Sequence, residues 1–300
     1  MDLWIPITIA AAFSQNLRSA LQKKLKSELS TWGATGARFI FAAPLAVLLA
    51  IVMVSIDGRG LPSANLTFVG YGAFGGLAQI AATGLLIHLF SSQNFSVATA
   101  YTKTEPIQTA LFGIILLGDA LSLEIAVAIL VSLVGVILIS IPAGELSAKI
   151  WFNKKAAIGI LSGGLFGISA VAYRGASLSL DFGDAFFRAS VTLAFVTLLQ
   201  SAVIFALLRL REPGQTMLLF KQWRVAGLVG VAGMLGSLAW FTAFTLQNAA
   251  HVRALGQIEV IFMLAASILF FKERVTAREV AGVCLVSLGI LALIFASGAG

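Results

Sequence analysis

Two acidic residues lie inside long apolar stretches of this sequence, at positions that correspond to each other. Glu105 and Glu259 are 154 residues apart (259 − 105), and Asp119 and Glu273 have the same separation (273 − 119). A charged side chain at the centre of a bilayer costs about 2.5–3.5 kcal/mol on insertion scales. Two equivalent acids in apolar runs therefore need either a function or a charged partner.

The first acid has several polar neighbours. By spacing, Tyr101, Glu105 and Gln108 fall on one face of a helix, whereas Lys103, two residues away from the acid, points elsewhere. Pro106 lacks an amide hydrogen and bends or opens a helix. Carbonyl groups freed in this way are tolerated at membrane depth only where they line a polar cavity. The pattern predicts such a cavity; the alternative is that Lys103 and Glu105 pair with other helices.

The second acid is preceded by a base and an amide. Arg253 and Gln257 are one helical turn apart and lie close to Glu259 in the sequence. They are candidates for the same polar site, although Arg253 could instead mark the membrane boundary. Val260 stands where the first copy has Pro106, so we expect the second helix to be less distorted than the first.

Five further side chains are candidates for a substrate path. His88 is a candidate for a proton relay, but a single histidine in an apolar helix is more often a hydrogen-bonded packing residue. Gln79 lies on the same predicted helix, and Asn16 lies in the middle of the first one. Trp240 and Phe244 are one turn apart, which suits either core packing or a wall for an apolar or aromatic substrate.

Composition places the chain in a membrane. The 300 residues are 59% hydrophobic and 11% charged, with a mean hydropathy of +0.98, whereas soluble domains average about 25% charged residues. The apolar runs are long enough to cross a bilayer core of about 30 Å as helices. Strand-like alternation is absent, so helices must satisfy the backbone polar groups. The predicted fold class is an all-α membrane protein.

Several functional classes are excluded. With two histidines and one cysteine, and no glycine-rich phosphate loop or metal-ligand spacing, the chain has no enzyme signature. We therefore predict no catalytic residues, no metal and no cofactor. The net charge of +7 comes from bases beside apolar runs, which suits contact with lipid headgroups better than a nucleic-acid partner.

The apolar runs predict ten membrane spans, near 3–25, 32–56, 67–91, 95–118, 122–142, 156–177, 183–208, 222–247, 252–271 and 277–297. They form two five-helix repeats, 1–148 and 149–300. An odd number of helices in each half gives the halves opposite orientations, as in many secondary transporters. Gly33 also matches Gly183, here at a separation of 150. Spans five and ten have few glycines and no mid-span charge, so we expect them to be peripheral.

Loop charges predict the orientation. The loops after spans one, five, seven and nine hold most of the lysines and arginines, and the opposite loops hold mainly acids. By the positive-inside rule the basic loops are cytoplasmic and both termini are periplasmic.

The chain resembles the EamA group of the drug/metabolite transporter superfamily. The resemblance rests on Glu105-Pro106, Leu117-Gly118-Asp119 and Gly135, and in the second half on Phe271-Lys272-Glu273 and Gly289. Within the group it is similar to the YddG-type exporters of aromatic and other amino acids. It departs from the family at Asp119, where glutamate is usual. The resemblance implies a multi-pass protein of the bacterial inner membrane, with a central cavity between spans one to four and six to nine.

The leading hypothesis is an alternating-access exporter of small metabolites, with amino acids as the expected substrates. The expected partners are a small-molecule substrate and membrane lipids, and the expected state is a monomer. Proton antiport and facilitated diffusion both fit the sequence. The alternatives are multidrug or cation efflux, and a non-transporting membrane scaffold.

Overall fold

The structure, a computed structural model, describes residues 2–90, 101–140, 154–271 and 276–298. These residues form helices and loops, without a strand among them. The helices are α1 Trp4–Leu25, α2 Thr31–Asp57, α3 Leu66–Phe90, α4 Glu105–Leu117, α5 Leu123–Ser140, α6 Lys154–Leu178, α7 Ala185–Arg211, α8 Gln215–Lys221, α9 Trp223–Leu246, α10 Ala249–Leu255, α11 Ile258–Phe271 and α12 Ala277–Gly298.

Helix length and composition support a multi-pass membrane protein. Among the described residues, six helices are long and apolar enough to cross a bilayer: α2, α3, α6, α7, α9 and α12. Two more apolar helices, α4 and α5, are shorter. Large side chains such as Leu48, Ile56 and Ile115 point outward, with exposures of 59%, 75% and 74%. Such a surface is stable in lipid and would aggregate in water. The total of ten crossings stays a prediction.

The second helix of each half begins in the same way. Ser30 and Asp184 each accept a hydrogen bond from the amide three residues further on, which caps α2 and α7. Both helices have 27 residues, and their caps are 154 positions apart. Gly33 lies in the first turn of α2, whereas Gly183 precedes α7 with a φ of 99°. The match of these two glycines at a separation of 150 is therefore wrong. The second helices of the two halves correspond at a separation of 154 residues, as the acids do.

Helices pack in pairs that take one member from each half. The pairs are α3 with α6, α1 with α9, α2 with α7, and α5 with α12. If the two halves are exchanged, the α3–α6 pair becomes the α1–α9 pair, whereas the α2–α7 and α5–α12 pairs stay the same. Close approach depends on glycine: a Cβ on Gly75 of α3 would lie 2.9 Å from Ala172 Cβ of α6. Small residues of this kind let membrane helices pack backbone to backbone.

The helices predicted to be peripheral pack mainly on each other. At the α5–α12 crossing, a Cβ on Gly135 would lie 2.6 Å from the carbonyl oxygen of Gly282. A Cβ on Gly289 would lie 2.7 Å from the carbonyl oxygen of Ala128. Only 28% of the apolar window of α12 is buried. The few glycines of these helices are thus at the contact itself.

A buried ionic site between the two halves

The chain leaves the helical path at equivalent points in both halves. Residues 103–104 form a turn before α4, and residues 256–257 form a turn between α10 and α11. Pro106, the second residue of α4, accounts for the first break. The second half is broken although Val260 replaces the proline, so the expectation of a less distorted helix is wrong. Gly256 lies at this break, and the ring of Trp240 packs against it, because a Cβ there would lie 2.6 Å from Cη2 of Trp240.

Both breaks open onto one small cavity. Its volume is about 30 Å³, which suffices for about two water molecules. The charged side chains that line it are Arg18, Lys103, Glu105, Arg253 and Glu259. Of the residues predicted from the sequence, the two acids, the two bases and Asn16 lie here.

The acids and bases form two ion pairs that cross between the halves. Lys103 Nζ contacts Glu259 Oε1, and Arg253 Nε lies 2.8 Å from Glu105 Oε1. Each pair therefore joins a base of one half to the acid of the other. Partners of this kind offset the cost of placing charge in an apolar environment.

The two acids are not held equally well. Glu259 Oε2 accepts a second hydrogen bond from Gln15 Nε2 at 2.8 Å, and its backbone carbonyl accepts one from Asn16 Nδ2 at 2.8 Å. Glu105 and Arg253 are close, but their facing atoms are not aligned as a hydrogen bond. Glu105 is therefore the acid that a ligand could engage more readily.

Aromatic rings also contact Arg253. Its guanidinium carbon lies 4.5 Å from the ring centroid of Trp240 and 5.2 Å from that of Phe244. Trp240 Nε1 also donates a hydrogen bond to Gln15 Oε1 at 3.1 Å. In this conformation the aromatic pair positions the arginine through cation–π contacts and does not line the cavity.

Tyr101 and Gln108 face α6, away from the cavity. Tyr101 packs against Gly159, and Gln108 Nε2 donates to the carbonyl of Ile160 at 3.3 Å. The break at 103–104 changes the helical register between Tyr101 and Glu105, so the predicted common face of Tyr101, Glu105 and Gln108 does not form.

Three other predicted site residues also lie outside the cavity lining. Gln257 Nε2 donates to the carbonyl of Lys103 at 3.4 Å and so links the two breaks. Gln79 accepts a hydrogen bond from Gln200 at 3.0 Å in a separate cluster of α3 and α7. His88 is exposed near the end of α3, which separates it from the buried charges.

A further ionic contact lies at the end of α4. Arg174 Nη1 donates to the carbonyls of Phe244 at 2.7 Å and Gln247 at 2.8 Å, and its Nε lies 3.9 Å from Asp119 Oδ1. Burial raises the pKa of Asp119 above its ordinary value, and the nearby guanidinium partly opposes that shift. The contact ties the C-terminus of α9 to the loop between α4 and α5.

Comparison with known families identifies the chain. The profile of the EamA-like transporter family matches residues 2–141 and again 153–295. The chain belongs to the EamA-like transporter family. Members of this family are transporters, in agreement with the absence of an enzyme signature from the sequence. The assignment to the YddG-type subgroup stays a prediction.

A solved crystal structure of a protein has the same fold. It superposes with a TM-score of 0.67 at 15% identity, and the match covers 96% of this chain and 98% of that chain. At this identity the likeness concerns the fold alone. A comparison with curated proteins gave no match.

The site residues predicted from the sequence did not include two arginines and a glutamine that the structure places at or beside the cavity of this EamA-like transporter. Gln15 bonds both Glu259 and Trp240. Arg18 and Arg38 are each only 3% exposed. Both arginines lie in apolar runs, so the insertion cost that singled out Glu105 could have identified them. The glutamine carries no comparable signal.

Proposed function

We propose that this protein is a secondary transporter that exports small metabolites, in particular amino acids, across the bacterial inner membrane by alternating access. The observation that carries the proposal is the cavity between the halves, with its two crossed acid–base pairs. Membership of a transporter family supports the general activity. The substrate class and the direction of transport are the new elements.

The chemistry of an amino acid matches the site. A zwitterion carries one carboxylate and one ammonium group, which complement a base and an acid respectively. Glu105 and Arg253 are the pair that is not aligned as a hydrogen bond, so Glu105 is the acid that an ammonium group would engage through a charge-assisted hydrogen bond. The cavity of about 30 Å³ is too small for an amino acid. Transport therefore requires the halves to separate on one side at a time.

The proposed architecture is two inverted five-helix repeats with ten crossings. The double match of the family profile and the exchange-related helix pairs support it. The proposed boundary between residues 148 and 149 falls in 141–153, outside the described residues. The proposed cavity lies between α1–α4 and α6–α11, with α5 and α12 outside it and a single chain sufficient for transport.

The proposed orientation places both termini in the periplasm. The basis is the excess of lysine and arginine in alternate loops. Fusion of a reporter that is active only in the periplasm to the C-terminus should give signal, and the same reporter after span five should give none. The opposite pattern would contradict the orientation.

Counterflow in proteoliposomes tests the transport proposal. Vesicles preloaded with an unlabelled amino acid should accumulate the labelled one, for at least one member of a panel of the twenty amino acids. Cationic dyes are tested in the same assay, because they represent the alternative class of substrate. A pH gradient that changes the rate indicates proton antiport, and insensitivity indicates facilitated diffusion. Failure of the whole amino-acid panel would contradict the proposed substrate class.

Efflux of cationic compounds is the weaker alternative. Both carboxylates at the cavity already have basic partners, and the buried cations outnumber the acids there. A cationic substrate would increase that excess. A non-transporting scaffold role has no supporting contact among the described residues and conflicts with the family membership.

A further inference from the structure

Arg18 is a buried cation at the cavity. It is 3% exposed and lines the cavity, and its buried Nε makes no hydrogen bond. Across residues 2–90, 101–140, 154–271 and 276–298, no carboxylate pairs with it. An arginine side chain carries five N–H donors, and leaving them unused in an apolar environment is costly.

A second arginine lies behind it. Arg38 is equally buried, and its Nη1 and Nη2 donate only to the neutral hydroxyls of Thr83, at 3.1 Å, and Ser237, at 3.5 Å. Gly233 of α9 makes room for both, because its Cβ would lie 3.3 Å from Arg38 Cγ and 3.6 Å from Arg18 Cδ.

The buried charges therefore do not balance. The cations are Arg18, Arg38, Lys103 and Arg253, and the acids that pair within the same region are Glu105 and Glu259. Among the residues that the structure describes, four positive charges against two negative ones leave an excess of two. Because an isolated buried charge is expensive, this region is suited to a negatively charged ligand.

We propose that Arg18 binds the carboxylate of the transported substrate. The planar guanidinium matches a carboxylate through two parallel hydrogen bonds. Arg38 contributes positive potential from behind without touching the ligand. The inference names the chemical group by which the proposed transport site selects its substrate, and so it rests on the proposed function. The inference also predicts that organic acids without an amine bind at Arg18. It can therefore be tested separately from amino-acid transport.

Thermal-shift titrations of the purified protein in a low-chloride buffer test the inference. The probes are matched sets: L-phenylalanine, 3-phenylpropionate and L-phenylalaninamide, and the corresponding sets for alanine and leucine. Probes with a carboxylate should raise the Tm of the wild-type protein, with or without the amine, and the amides should not. If no carboxylate probe raises the Tm, the inference is wrong, whatever the outcome of the counterflow assay.

Variants assign the effect to Arg18. Arg18→Gln should weaken binding of carboxylate probes at least about tenfold, because a charge-assisted hydrogen-bond pair is lost. Arg18→Lys should retain part of the affinity, since it keeps the charge but not the fork. The matched control is Arg209→Gln, which removes an arginine that contacts Phe205 away from the cavity.

The Tm without ligand separates binding from a structural role. Removal of an uncompensated buried charge should leave the Tm of Arg18→Gln equal to or above that of the wild type. A clear fall in that Tm, with carboxylate-induced shifts equal to those of the wild type, would show that Arg18 is structural and would overturn the inference. Stabilisation by chloride that abolishes carboxylate binding would instead assign the site to an inorganic anion and would also overturn it.

Discussion

At the scale of single residues, equivalent positions have acquired different environments. Glu105 and Glu259 are 154 residues apart in the repeat, but only Glu259 has both a base and Gln15 as partners. Glu105 shares Arg253 with two aromatic rings. We infer that Glu259 mainly holds the halves together and that Glu105 is the acid that acts on a substrate.

Replacement of each acid by glutamine should separate these roles. Glu259→Gln leaves Lys103 buried without its partner, and breaking a buried pair costs about 3–5 kcal/mol. Glu105→Gln should cost less, since Arg253 keeps its cation–π contacts, but it should reduce counterflow at least about tenfold. The measurements are the Tm and the counterflow rate of each variant.

The exposed residue Glu28 provides the control for charge removal. Glu28→Gln should leave both the Tm and the counterflow rate unchanged. If Glu105→Gln transports at the wild-type rate while folded, Glu105 has no role in transport. Equal losses of Tm in the two cavity variants would remove the distinction between the acids.

At the scale of elements, the two interrupted helices reach the same shape by different routes. Pro106 starts α4 in the first half, whereas Gly256 and Gln257 separate α10 from α11 in the second. The absence of a proline was a poor guide, since the second helix is interrupted without one, at the point where the Trp240 ring packs against Gly256. The short helix α8, in a segment interpreted as a loop, was also unforeseen.

Gly256→Ala tests the second break. The added Cβ would lie 2.6 Å from Cη2 of Trp240, so the ring must move away from Arg253. Overpacking of this kind typically costs about 1–3 kcal/mol, and loss of the cation–π contact should also slow counterflow. Thermal unfolding and counterflow measure the two effects.

Gly227→Ala is the matched control, since no heavy atom lies within 4 Å of its added Cβ. Alanine there should raise stability by up to about 1 kcal/mol because it is a better helix former than glycine. Equal behaviour of the two variants would show that the contact between Gly256 and Trp240 does not shape the site.

At the scale of the whole molecule, the halves are linked at both ends. At one end Asn65 Nδ2 donates to the carbonyl of Ser179 at 2.6 Å, and Ser63 Oγ donates to Asp181 at 2.7 Å. At the other end the amide of Ser30 donates to Gln215 Oε1 at 3.0 Å. Each link joins a segment outside the long helices of one half to such a segment of the other. Alternating access would require these links to break one end at a time.

Weakening one link should favour opening at that end. Asn65→Ala and Gln215→Ala should therefore shift the accessibility of cavity residues in opposite directions across the membrane. The measurement is labelling of a cysteine placed at Ser19, in a background that carries Cys284→Ala, by a membrane-impermeant thiol reagent in vesicles of each orientation. Shifts in the same direction for both variants would contradict alternating opening at these two ends.

The sequence alone determined the class of the protein and its candidate charges. The apolar runs are long enough to cross a membrane, and they must be helical there because lipid offers the backbone no water for hydrogen bonds. The repeat of 154 residues relates the acids of the two halves. The cost of burying charge was enough to select Glu105, Glu259, Lys103 and Arg253, and the structure places all four at one cavity.

Partner choice was decided only by the tertiary structure. Helical spacing within one span cannot show that Lys103 contacts Glu259 and that Arg253 faces Glu105, because those contacts join residues about 150 positions apart. Nor can it show that Tyr101 and Gln108 turn towards α6 once the helix is interrupted. Periodicity reports on local geometry, whereas the ionic site depends on how the two halves pack against each other.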